Sequence, residues 1–142
     1  MIDRAKPVAL LLARVAIGAV FFAHGWMKLT KAGLEATTGG FEQMGIPLAT
    51  LAAPAVTFLE IIGGIAIIIG AALPVAGTLL AIDMVGAIFF VHLGKGFFVE
   101  NGGYEFVLAL AAGALAVGFS GGGALAVDTF LQERRTPETA GV

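Results

Sequence analysis

The sequence contains no cysteine, one tryptophan, one tyrosine and two histidines, and only 13% of its 142 residues are charged. Without cysteine there is no disulfide, no thiolate nucleophile and no Cys-ligated zinc or iron–sulfur centre within the chain. Any redox electrons must therefore travel on a bound cofactor or a partner. With a net charge of −2 and no long basic run, the chain has no electrostatic footprint for nucleic acid, whose phosphates call for clustered Lys and Arg. What is abundant is apolar: 58% of residues are hydrophobic and the mean hydropathy is +0.98. A soluble domain of this length cannot bury so much apolar surface, so the lipid bilayer must solvate most of it.

Four apolar segments, at about 8–29, 48–72, 75–93 and 104–119, predict an all-α integral membrane four-helix bundle forming a single domain over 1–131, followed by a polar, disordered cytoplasmic tail at 132–142. A basic start at Arg4 and Lys6 before an apolar run resembles a signal peptide. The run continues to Leu29 with no A-x-A-like cleavage site, so it reads as a retained helix. Glycines such as Gly18, Gly63, Gly64, Gly86 and Gly113 suit close helix packing in lipid. The bias of Lys and Arg weakly favours both termini in the cytoplasm, with the larger loops outside. Gly18-x-x-Phe21-Phe22-Ala23-His24 recurs as Gly86-x-x-Phe89-Phe90-Val91-His92, a short echo at the ends of the first and third apolar segments.

A charged side chain at the bilayer centre costs about 2.5–3.5 kcal/mol on insertion scales, so the intramembrane ionisable groups are the candidate functional or pairing residues. Counting the helical rise from each apparent helix start puts Arg14, Glu60 and Asp83 in one central layer, where Arg14 would pair with one carboxylate. The other acid would lack a cation, and a carboxyl in that position can carry a proton. Arg14, Glu60 and Asp83 are the candidate catalytic set; a structural polar lock is the competing reading.

His24, Lys28, His92, Lys95, Tyr104 and Glu105 fall in a second layer near the outer boundary. His24, Lys28, His92, Tyr104 and Glu105 are the candidates for binding a substrate or quinone head group. His, Lys, Tyr and Trp26 also favour the interface without any ligand, and Glu105 in the first turn of a helix suits the helix dipole. No metal site is predicted, because His24, His92 and Glu105 lack the spacing that puts ligands together on one helix. Asp83 and His92, nine residues apart, should point to opposite sides of a regular helix unless it is distorted near Gly94.

Several ordered motifs are similar to those of the DoxX family of small bacterial membrane proteins: Arg14 to Gly18, Phe22-x-His24-Gly25-x-x-Lys28, Phe41-x-x-x-Gly45-Ile46-Pro47, Glu60-x-x-Gly63-Gly64 and Asn101-Gly102-Gly103-Tyr104-Glu105. The resemblance covers about residues 8–120. It implies a four-helix protein of the bacterial inner membrane, whose relatives include subunits of a thiosulfate:quinone oxidoreductase and proteins linked to oxidative-stress defence. Carried onto this sequence, Arg14, Glu60 and the His24/Lys28 pair are family-like, while Asp83 matches no family motif. The absence of cysteine separates the chain from membrane thiol-oxidase bundles.

Three functions follow as expectations. The first is a quinone-linked redox subunit with quinone as cofactor and a soluble or membrane redox partner. The second is a noncatalytic scaffold for a redox complex. The third is a small proton-coupled transporter, for which four short helices would have to assemble as a homo-oligomer.

Overall fold

In the computed structural model, residues 2–135 are described. α1 (Ile2–Met27) runs directly into a π-helical turn, Lys28–Ala32, and is followed by α2 (Leu34–Gln43) and α3 (Ala49–Ile69). α4 (Leu73–Ala87) likewise continues into a π turn, Ile88–His92, and a 3-10 turn, Leu93–Lys95. After a short 3-10 turn, Val99–Asn101, come α5 (Glu105–Phe119) and α6 (Val127–Arg135).

The protein is an all-α membrane bundle. Three of its helical stretches, Asp3–Ala32, Ala49–Ile69 and Leu73–Lys95, are long and apolar enough to cross a membrane, and the shorter apolar α5 packs with them. Large side chains project from their outer faces: Leu12, Ile62, Ile82, Phe89 and Phe119 are each more than 60% exposed. In water such faces would drive association, whereas lipid solvates them. The bundle interior is thin and built around Phe21, Ile67, Leu80, Met84 and Ala114.

Glycine sets the helix spacing. A Cβ on Gly18 of α1 would sit 2.6 Å from the Gly64 carbonyl oxygen of α3, and one on Gly64 would sit 2.7 Å from the Phe22 amide nitrogen. A Cβ on Gly77 of α4 would lie 2.5 Å from the Ala114 carbonyl of α5. Helix pairs in lipid gain their attraction from such backbone contact, since burying apolar surface from lipid gains little. Gly64→Val is therefore expected to force α1 and α3 apart and to destabilise the fold by about 1–3 kcal/mol. Equilibrium unfolding in mixed micelles measures this, and an unchanged midpoint would remove glycine contact from the account of the α1–α3 pair. Gly86 behaves otherwise: a Cβ there would meet nothing within 4 Å, so this glycine leaves open space.

Three expectations need correction. The apolar run beginning at residue 8 is the membrane part of a longer helix, because Asp3, Arg4 and Lys6 lower the hydropathy without ending the helix. The stretch between the first two membrane helices contains α2, where Leu34, Thr37, Thr38 and Phe41 fall on one helical stripe. Of the tail expected at 132–142, residues 132–135 belong to α6, and 136–142 lie outside the described residues.

Both described ends of the chain lie at one end of the bundle. The Ala124 amide donates to the Pro7 carbonyl at 3.0 Å, joining the start of α1 to the loop before α6. Asp128 of α6 accepts hydrogen bonds from the Ala72 and Leu73 amides at 2.8 and 2.9 Å, and the Asp128 amide donates to Gly70 at 2.9 Å. Asp128 thus caps the first turn of α4 from a distant part of the sequence, satisfying amides that α4 leaves open; Pro74 in that turn has no amide to satisfy.

Candidate functional site

At the opposite end, between α1, α3, α4 and α5, lies a cavity of about 480 Å³. That is within the range of roughly 300–1,000 Å³ typical of small-molecule sites. Its walls are mostly aliphatic and aromatic, and five polar side chains reach it: His24, Lys28, Glu60, Asp83 and His92. Phe41, Met44 and Ile46, from α2 and the turn after it, line the cavity on the loop side. Thr37 of α2 donates its hydroxyl within its own helix to the Gly33 carbonyl at 2.9 Å and lies 3.4 Å from the Lys28 carbonyl of the π turn.

Glu60 is 3% exposed, and its carboxylate pairs with the Lys28 ammonium. Asp83 faces the same cavity and interacts with both Glu60 and Lys28. Its Oδ2 is buried and has no hydrogen-bond partner among the described residues. Nδ1 of His92 lies 2.7 Å from the Gly102 carbonyl. A carbonyl only accepts, so Nδ1 carries a proton and donates it to Gly102. The His24 ring lies at the exposed rim with its centroid 6.4 Å from that of Phe106 on α5.

The phase conflict between Asp83 and His92 is resolved by the π turn at Ile88–His92. A π turn takes one residue more than an α turn, which swings the following side chains by roughly a quarter turn. His92 therefore reaches the cavity that Asp83 faces, although an unbroken α-helix would separate them. Lys28 stands at the start of the other π turn, Lys28–Ala32. Both π turns thus adjoin a polar cavity residue, and such turns are frequent at functional sites.

The expected central layer is divided. Glu60 and Asp83 share the cavity, but Arg14 lies at the other end of the bundle and pairs with no carboxylate among the described residues. From the outer ends of the observed helices, Arg14 is about 27 Å along its helix, against about 17 Å for Glu60 and 18 Å for Asp83. Its guanidinium is buried and donates to the Gly122 carbonyl at 2.6 Å and the Ala124 carbonyl at 2.9 Å. Arg14 therefore ties α1 to the loop after α5. Gly70, at φ +72°, leaves room for it, because a Cβ there would collide with the guanidinium.

The expected outer layer is divided too. His24, Lys28 and His92 reach the cavity, whereas Tyr104 and Glu105 do not line it. Tyr104 packs edge-on against Phe97, with ring centroids 5.4 Å apart, and Glu105 accepts the Val99 amide at 2.7 Å, holding the loop before α5. Phe41, Met44 and Ile46 were not expected at the site; the helical spacing of Leu34, Thr37 and Phe41 was the signal that could have placed them near it.

The DoxX family profile matches residues 9–93, more than half of the chain. The chain belongs to the DoxX family. All five polar side chains at the cavity of this DoxX protein lie inside the matched region, while Tyr104 and Glu105 lie beyond it. It is 33% identical over 129 residues, 91% of each chain, to CatD of Bacillus subtilis (strain 168), a proposed oxidoreductase. The inner membrane protein YqjF of Escherichia coli (strain K12) is 32% identical over 135 residues, 91% of this chain and 96% of that one. The membrane protein Rv3486 of Mycobacterium tuberculosis (strain H37Rv) is 31% identical over 143 residues, 92% of this chain and 85% of its own. No solved structure matches the DoxX chain.

Proposed function

We propose that this DoxX protein is a quinone-linked redox subunit of the bacterial inner membrane, with both termini in the cytoplasm and the cavity at the outer side. The observation that carries the reading is a largely apolar cavity in the membrane bundle, into which an ion pair, a second acid and two imidazoles converge. The apolar walls suit the ring and substituents of a lipid-soluble quinone, and the polar groups suit its oxygens. Interconversion of quinone and quinol moves two electrons and two protons. The electrons pass to or from a soluble or membrane partner carrying its own redox cofactor, a role consistent with the absence of cysteine here. The protons pass through Asp83, Glu60 and His92, the acceptors that face the head group. The activity proposed for CatD lends support, since that relative aligns along nearly the whole chain.

Mass spectrometry of an organic extract of the gently purified protein tests this, with a membrane protein of similar hydrophobicity as control. A near-stoichiometric quinone or quinol is expected from the native protein. Glu60→Gln is expected to lower the retained amount about tenfold, because the neutral amide no longer holds the Lys28 ammonium, a loss equivalent to about 1.4 kcal/mol of binding. If the native extract holds no more quinone than the control, the redox reading gives way to a noncatalytic scaffold.

A further inference from the structure

The cavity has a neighbour. On the lipid side of α5 runs a groove with Ala109 and Ala112 as its floor, Leu108 on one flank and Phe106 on the other. Phe97 and Val99, from the loop before α5, stand at its outer end. Helical phase sets this face: Val107, Leu110, Ala111 and Ala114 point into the bundle and are buried, whereas Leu108, Ala109 and Ala112 lie opposite them and are exposed. Glu105 and Ala112 mark the ends of the groove on α5, which the helical rise sets about 10 Å apart. Glu105 holds the Val99 amide at 2.7 Å, and the other side chains of the groove are apolar.

Two side chains belong to both spaces. Val99 and Phe106 line the cavity as well as the groove, and they are 53% and 42% exposed. Phe106 also makes the rim contact with His24. A head group held near His24, Lys28 and Glu60 is thus separated by one apolar wall from an apolar groove that faces lipid.

We infer that the groove is a tail subsite, taking the alkyl or prenyl chain of a lipid-soluble ligand whose head group occupies the cavity, with the chain passing over Val99 and Phe106. This rests on the quinone-linked reading and adds the class of quinone, one with a side chain long enough to reach Ala112. Apolar burial alone does not select an occupant, because lipid chains are as apolar as the groove. A tail tethered to a bound head group differs, since it is held at high local concentration and its dispersion contacts with the alanine floor and both flanks favour it over a free acyl chain.

The test compares 2,3-dimethoxy-5-methyl-1,4-benzoquinone with its 6-decyl derivative, by titration calorimetry on the purified full chain in micelles, in the native protein and in Ala109→Phe. Phenylalanine at this lipid-facing position fills the groove without entering the cavity. The variant is expected to bind the decyl compound at least about fivefold more weakly and the tailless compound as the native protein does. Comparing the two proteins in the same micelles cancels the partition of the tail into detergent. An unchanged decyl affinity, or an equal loss for both compounds, overturns the inference and leaves the quinone-linked reading standing. So does a native dimer that Ala109→Phe turns into monomers, since the groove would then hold a second copy of the chain. If neither compound binds the native protein, both readings fall. A decyl quinone with a diazirine at its tail end needs no variant: its photoadduct is expected on α5 and is suppressed by excess unmodified decyl compound. An adduct on another helix, or one that the competitor does not suppress, overturns the inference.

Discussion

Lys28→Met is expected to destabilise the protein by about 3–5 kcal/mol, because it leaves Glu60 in the bundle interior without its cation. Glu60 is 3% exposed, and Lys28 is its ion-pair partner. The double variant Lys28→Met/Glu60→Leu is expected to regain most of that stability, since an apolar pair of similar volume needs no desolvation of charge. It should nevertheless retain no quinone. The two measurements together, equilibrium unfolding and ligand retention, separate what the ion pair does for the fold from what it does for the site. A single variant as stable as the native protein would mean that Glu60 is served by some other group.

Arg14→Leu is expected to cost a similar amount, about 3–5 kcal/mol, by a different route. Two charge-assisted hydrogen bonds are lost, each worth about 1.5–3 kcal/mol, and the Gly122 and Ala124 carbonyls lose their donor. The loop before α6 should loosen, which amide hydrogen exchange at residues 121–128 would register. Ligand retention in the protein that remains folded should match the native value, because the cavity is at the far end of the bundle. Loss of ligand with an intact loop would instead restore Arg14 to the site.

The membrane helices were legible because hydropathy reports on lipid-solvated segments directly, and the observed spans Ala49–Ile69 and Leu73–Lys95 fall within a few residues of the expected bounds. Helix ends outside the hydrocarbon were not, since a helix can continue past Asp3 or Lys31 while the hydropathy falls. Depth counting found that Glu60 and Asp83 belong together, both being measured from nearby loops. It misplaced Arg14, whose helix extends beyond the point from which the count was made. The Lys28–Glu60 pair was missed because they were assigned to different layers, and the reach of a lysine side chain is several ångströms. His92 illustrates a different limit: strict 3.6-residue phase argued against it, and a π turn is not visible in a hydropathy pattern.

The cap that Asp128 places on α4 bears on how the protein is made. When the ribosome has reached Ala72, 56 positions remain to be translated before the carboxylate that its amide requires. The bundle end formed by Gly70, Ala72 and Arg14 therefore closes only when α6 emerges, so biosynthesis has a late locking step. A chain stopped after α5 would hold all the polar cavity residues and still lack the clasp that keeps that end of the bundle shut.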